Sequence, residues 1–502
     1  MHSHDDVEGN CFADKIYLCI SGNNQVMSSI KKNFAYNSFL MVSNYLINLV
    51  LFPYCTRMLG VERFGTINFA QNIVQYFIYF AMMGITHIGV REIAKQTNKE
   101  DRNKCYSSLL GLNILYTLVA LVIYLPLIFI VNRFSELKEL FLLGGLQILF
   151  NTFTIEWFFR GTEDFRYVTI RNVVLKVLYV VLVFLFVRAP DDYILFYALT
   201  VLMTIFNAAI NYTYAKKKVN FTWKEVNIRQ YFKSSFSLGA YSILTSMYTT
   251  LNVIFLGFYW DDIQVGYYTT ALKLYTIILG FYSAFTSVMM PRMTSLLGHG
   301  DNESFHILIK KSIGLLFTIA VPMVFVLTIL SPEIIVLLAG PEYYPAVIMS
   351  KIVVPMLLIV GIAQICSFQI LLPKGYDKYT LYASILGAII GISANLIFTT
   401  KFAAIGACIT VVITEVFVTL YYIFVCFKLE LIKQYDLLML KKHIVVSLPY
   451  FLLCYIPKLI FDSSILGVLI MSIVLSVLYF VYSQVYILKN EMVLHAYNKL
   501  LK

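Results

Sequence analysis

Residues 106–131 read YSSLLGLNILYTLVALVIYLPLIFIV, without one charged side chain. A hydrocarbon layer of about 30 Å is crossed by about 20 apolar residues in a helix, so this stretch is long enough to span a bilayer. It shows no strict apolar/polar alternation and far exceeds the roughly ten residues of a barrel strand, which makes it a helix. Runs of the same kind recur along the chain, near 34–56, 66–90, 137–159, 168–188, 192–215, 236–258, 267–290, 312–330, 347–372, 379–399, 402–427, 442–460 and 465–487. The expected fold is therefore an all-α membrane protein of about fourteen transmembrane helices. Its least defined boundary falls in the weakly amphipathic stretch 331–346.

Composition agrees. Hydrophobic residues make up 59% of the chain and charged residues 13%, against about 45–50% and 25% in soluble domains. Spans of this size with short links use up the 502 residues, so no soluble domain fits and function must lie between the helices. The eight cysteines and seven histidines are scattered, with no CxxC, HExxH, Walker A or GxSxG pattern. No metal, cofactor or nucleophilic serine is implied, and the chain does not read as an enzyme. A membrane polymerase or ligase would carry a large external loop, and the longest external link here is about 15 residues.

Cytoplasmic links are enriched in Lys and Arg. With the N-terminus inside, 28 of these residues fall on the inner side and seven on the outer, the latter being Arg57, Arg63, Arg133, Lys138, Arg188, Lys401 and Lys458. An even number of spans with both termini cytoplasmic follows. The net charge of +11 is then mostly a cytoplasmic rim, and no nucleic-acid partner is needed to explain it. Residues 1–33 form an N-terminal tail. Its first 26 residues, with Asp5, Asp6, Glu8, Asp14 and Lys15, lack the features of a secretory signal. Met27, followed by Lys31 and Lys32, reads as a natural start, and a genuine short tail is the equal alternative.

The chain also repeats itself. Phe64-Gly65-Thr66-Ile67-Asn68-Phe69-Ala70 resembles Val265-Gly266-Tyr267-Tyr268-Thr269-Thr270-Ala271 at an offset of 201 residues, which also carries Arg91 onto Arg292. Arg160-Gly161 and Arg166-Tyr167 correspond to Lys374-Gly375 and Lys378-Tyr379. Two matches at equivalent junctions, in the same order, indicate a duplicated six-helix unit. The expected parts are an N-lobe over 34–215, a basic cytoplasmic linker over 216–235, a C-lobe over 236–427, and 428–502 with two added helices and a cytoplasmic end.

Arg57-Met58-Leu59-Gly60-Val61-Glu62-Arg63-Phe64-Gly65, Glu156-Trp157-Phe158-Phe159-Arg160-Gly161, the stretch from Tyr167 to Asn172, and Val265-Gly266-Tyr267-Tyr268 resemble the Wzx-type polysaccharide flippases. These belong to the multidrug, oligosaccharidyl-lipid and polysaccharide exporter superfamily. The likeness runs from about residue 27 to about 430. It implies a protein of the bacterial inner membrane that moves undecaprenyl-pyrophosphate-linked oligosaccharide to the periplasmic leaflet by alternating access, for O-antigen or other surface polysaccharide. Membrane lipids, the lipid-linked substrate and polysaccharide polymerase machinery are the implied partners.

Such a substrate has an anionic head, so ionisable residues inside the membrane are the place to look, each costing about 2.5–3.5 kcal/mol on insertion scales. Lys176 lies deep in the fifth span, where it either pairs with a carboxylate or lines a cavity. Lys273 in the eighth span either snorkels outward or lines the same cavity. Arg57, Arg91 and Arg292 sit at span ends, as interface anchors or as phosphate-binding groups. Glu156 and Glu415 are the carboxylates at membrane depth. Glu156 either pairs with Arg160 one helical turn on, or one of the two takes up H⁺ or Na⁺. The pairs Tyr267-Tyr268 and Tyr343-Tyr344 are expected in the interfacial aromatic belt. An ion-coupled multidrug exporter of the same fold is the alternative function; it would favour acidic groups in its cavity, and the lysines argue against it.

Overall fold

The computed structural model describes residues 6–432, 434–461 and 464–489. Among them every regular element is helical. The first lobe comprises α1 (Asp6–Met82), α2 (Ile85–Ala94), α3 (Lys99–Ile130), α4 (Asn132–Glu136), α5 (Lys138–Asn151), α6 (Glu156–Gly161), α7 (Phe165–Phe186) and α8 (Tyr193–Ala215). The second comprises α9 (Ile228–Tyr259), α10 (Asp262–Gly298), α11 (Asn302–Ala339), α12 (Ala346–Val353), α13 (Met356–Gln364), α14 (Asp377–Ala394) and α15 (Thr400–Lys428). The added helices α16 (Gln434–Ser447), α17 (Tyr450–Ile460) and α18 (Ile465–Tyr482) all pack on α11.

Ten helices are long and apolar enough to cross a membrane, eleven with a bent pair inside α9. The sequence suggests about fourteen. Much of the difference lies in two long rods, Leu46–Ala94 and Asp377–Lys428, of 49 and 52 residues. At about 1.5 Å per residue each is more than twice the hydrocarbon thickness. The first is broken by the non-helical backbone of Gly60 (φ 70°), the second at Phe402 and Ala403. Side chains such as Val122, Phe129, Ile130 and Leu459 are about 70% exposed. That exposure is untenable in water over so many residues, and is expected of a lipid-facing surface.

The apolar clusters show how the lobes meet. Leu59, Phe69, Val74, Tyr124 and Phe141 of the first lobe share one continuous core with Leu256, Val265, Tyr268, Val353 and Val411 of the second. At the end where most Lys and Arg residues gather, the cores are separate. One holds Ile88, Leu109, Trp157 and Val168, the other Phe305, Phe317, Ile370 and Val418. Among the described residues α9 crosses over there, placing Tyr231 in the first lobe's cluster and the Ser235 hydroxyl on the Met83 carbonyl. The lobes are thus fastened at one end, called here the closed end, and divided at the basic end.

The closed end is held by backbone proximity and charge. α1 crosses α10 at Gly65 and Gly266, the matching positions of the internal repeat. A Cβ on Gly65 would lie 1.7 Å from the Asp262 carbonyl oxygen, and one on Gly266 2.4 Å from that of Val61. Small residues let membrane helices approach closely and gain dispersion contacts that lipid would otherwise supply. Beside the crossing, the Asp262 carboxylate accepts from Arg133 at 2.6 Å and from the Thr66 hydroxyl at 2.6 Å. Arg57 donates to the carbonyls of Val336 and Leu337, the latter at 2.5 Å. Both belong to the C-terminal end of α11, where Val336 also accepts from the Gly340 amide and a cation complements the helix dipole.

Two local expectations are corrected. Tyr268 and Tyr343 do not belong to an interfacial belt. Both are buried, Tyr268 accepting from Asn252 at 2.9 Å and Tyr343 donating to the Gly60 carbonyl at 3.0 Å, because a buried phenol needs a partner. Tyr344 is exposed, as a belt residue would be. The stretch from 331 is not a link either. α11 continues through Pro332 to Ala339, and its polar Glu333 is held by Lys458 of α17 at 2.8 Å. What looked like amphipathic loop is a helix carrying one interhelical ion pair.

Candidate functional site

Lys176 lies midway along α7, about 15 Å from its end at Phe186, and Lys273 lies about 17 Å into α10 from Asp262. Counted from the closed end, they occupy the same depth on opposite lobes. α7 packs mainly on α1 and α8, and α10 belongs to the second lobe. Both side chains are half-buried. Lys273 faces Cys55 of α1. Neither ammonium has an ion pair or hydrogen bond among the described residues. Each unneutralised ammonium at membrane depth carries an insertion penalty. A bound anion relieves both.

Glu156 is differently placed. The fourth span is not one helix, because Ile155 adopts a left-handed φ of 39° between α5 and α6. That break leaves Glu156 in the first turn of α6, where a carboxylate is favoured by the free N–H groups. It accepts from Arg171 at 2.6 Å, Asn172 at 3.1 Å and Arg160 at 3.4 Å. The pair with Arg160 four residues on is present, but it is the longest of the three. Arg171 is the partner that reading the sequence missed, since it was counted among the cytoplasmic rim. It is 5% exposed and also donates to Asn211, which anchors Tyr167 and the Thr154 carbonyl. The signal available was its place within the motif from Tyr167 to Asn172.

Arg171→Ala would strand the Glu156 carboxylate without its closest buried partner. Removing one side of a buried pair costs about 3–5 kcal/mol. The detergent-solubilised variant should therefore melt well below wild type, and Glu156→Gln, which keeps acceptor and shape, should lose less. Equal melting temperatures for Arg171→Ala and wild type would show the pair to be incidental.

Glu415 of α15 is 7% exposed and has no ion pair or hydrogen bond among the described residues; Tyr275 and Tyr422 are its electrostatic neighbours. Arg91 is paired with its neighbour Glu92 at 2.8 Å, and Arg292 is exposed. Arg57 is engaged by the α11 carbonyls at the closed end. Lys176 and Lys273 thus stand unpaired among the described residues on helices of opposite lobes, Glu156 is claimed at the start of α6, Glu415 is buried on α15, Arg57 and Arg91 are engaged by their own partners and Arg292 is exposed. No cluster of metal-ligating residues occurs among the described residues.

The sequence profile of the polysaccharide biosynthesis protein family matches residues 30–297, over half of the chain. The chain belongs to that family. The MatE profile matches residues 238–397. A candidate O-antigen transporter of Escherichia coli (strain K12) is 27% identical over 399 residues, covering 78% of this chain and 95% of the relative. Among solved structures, the lipid II flippase MurJ in an inward closed conformation superposes with a TM-score of 0.75 at 15% identity, covering 93% of this chain and all of that one. An inward-facing multidrug resistance transporter of the MATE family gives a TM-score of 0.58 at 14% identity over 81% of this chain and 98% of its own. At these identities the structural likeness speaks to fold. Together the findings bear out the resemblance to Wzx-like flippases and the placement in their exporter superfamily.

Proposed function

We propose that this family member is a flippase carrying undecaprenyl-pyrophosphate-linked oligosaccharide units from the cytoplasmic to the periplasmic leaflet of the bacterial inner membrane. The observation that carries the reading is the pair of unneutralised lysines, Lys176 and Lys273, at one depth on opposite lobes. A pyrophosphate bridges two such cations, and its neutralisation of them relieves the insertion penalty of each. The chain's relatives, an O-antigen transporter among them, support a lipid-linked glycan as cargo. In this reading the chain makes fourteen crossings with both termini in the cytoplasm, and the basic end is the cytoplasmic mouth.

Alternating access follows from the same parts. With the basic end open, the headgroup enters between α7 and α10 and meets Lys176 and Lys273, while Arg91 and Arg292 add positive potential at the mouth. Closing the basic end while parting Asp262 from Arg133 and Thr66 exposes the cleft to the other side. Glu415, buried and without a cationic partner among the described residues, is the group that couples the exchange to H⁺ or Na⁺. A drug exporter of this fold is the runner-up, supported by the MatE match. A cavity for cationic drugs would present carboxylates where this cleft presents lysines.

A strain lacking the chain should lose its surface polysaccharide and accumulate lipid-linked units in the inner leaflet. Normal display without accumulation refutes the flippase reading. Glu415→Gln should weaken the dependence of export on the proton or sodium gradient, measured with ionophores at matched protein levels. An unchanged dependence removes Glu415 from coupling.

A further inference from the structure

Between α7 and α8 lies a cavity of about 230 Å³ whose lining is unusually polar for membrane depth: Asn172, Lys176, Tyr179, Thr200, Thr204 and Asn207, with Leu175 and Met203 as apolar floor. Val174, Val177 and Val181, on other faces of α7, are exposed as lipid-facing residues are. The cavity therefore lies on a half-buried face of α7, beside Lys176, and not on that exposed face.

Its hydrogen-bonding state says what it takes. The Thr204 hydroxyl donates to the Thr200 carbonyl at 3.2 Å, the Thr200 hydroxyl to the Phe196 carbonyl at 3.2 Å, and Tyr179 lies 2.9 Å from the Thr200 hydroxyl. These protons are committed within the protein, and the oxygens keep lone pairs that only a donor can satisfy. Asn207 accepts from Asn211 through its oxygen at 3.2 Å, and its amide nitrogen donates to nothing among the described residues. Beside it stands the Lys176 ammonium. A ligand here must donate to hydroxyl oxygens, accept from an amide and an ammonium, and lay a C–H face on Leu175 and Met203. Phosphate has no such donors. A sugar ring has both roles on adjacent hydroxyls and fits the volume.

We propose that this pocket is a sugar subsite, taking one pyranose ring of the oligosaccharide next to the pyrophosphate on Lys176. The proposal rests on the flippase reading above and adds to it a place where the glycan, and not its carrier, is recognised.

Purified full-length protein in detergent would be titrated with two probes: the lipid-linked oligosaccharide extracted from the strain that encodes the chain, and undecaprenyl pyrophosphate without sugar. Wild type should bind the glycosylated lipid more tightly. Thr204→Phe, which fills the cavity, should lose that advantage by about tenfold or more while binding the bare carrier as before. Thr204→Val, which deletes one hydroxyl at constant shape, should lose part of it and serves if the larger variant fails to fold. Undiminished preference for the glycosylated lipid in both variants overturns the subsite. So does equal binding of the two probes by wild type, or a matching loss of bare-carrier binding. Wild type that binds neither probe fails the flippase reading itself.

Discussion

Replacing Lys176 and Lys273 together by alanine is expected to abolish surface polysaccharide while leaving the protein at normal abundance in the membrane. Each lysine is unpaired, so its loss strands no partner and removes a penalty of about 2.5–3.5 kcal/mol rather than adding one. Stability should hold or rise. Binding should collapse, because a charge-assisted contact to phosphate contributes about 1.5–3 kcal/mol and two are lost at once, a decrease of about 10²–10⁴-fold in affinity. Opposite movement of melting temperature and export marks a ligand site; a structural pair would lower both. Lys176→Arg with Lys273→Arg should retain partial export, since the charge remains. Full export by the double alanine variant would return both lysines to a packing role.

Gly65→Leu should be the most damaging single substitution at the closed end. The added Cβ alone would lie 1.7 Å from the Asp262 carbonyl oxygen, backbone that cannot rotate away. Either α1 and α10 separate, breaking the Arg133–Asp262–Thr66 contacts, or the lobes fail to assemble. Both routes exceed the roughly 4 kcal/mol that marks an exceptional mutation. The measurement is the yield and melting temperature of folded protein, alongside accessibility of a cysteine introduced at Thr66 to a membrane-impermeant thiol reagent. Wild-type yield together with wild-type inaccessibility would show that the crossing tolerates bulk.

Much of the fold was legible because the bilayer imposes it. A lipid-facing helix must be apolar along its length and satisfy its own backbone, so runs such as 106–131 announce themselves locally. The repeat was legible for a related reason, since duplicated units carry the same constraints at the same junctions. Gly65 and Gly266 match in sequence and meet in space. The breaks were harder to place. Ile155, with its left-handed backbone, and Phe402 with Ala403 have neither proline nor glycine to mark them, and their bends come from packing around them. The tyrosines misled for a similar reason: an aromatic near a span end suits an interface equally well whether lipid or another lobe covers it.

The candidate site divides the same way. Composition and position singled out Lys176, Lys273, Glu156 and Glu415, because a charge inside a membrane is costly wherever it points. Which of them share a cleft depends on helix rotation and on residues far apart in the chain. Glu156 is claimed by Arg171, 15 positions on, and Arg57 by carbonyls 279 and 280 positions away. The sequence by itself determined an all-helical membrane protein and its few charges at membrane depth, since solvent and covalent spacing govern those. Tertiary structure alone decided which charges are already paired and which are left without a partner among the described residues, because pairing energy falls steeply with distance and only folding sets the distances.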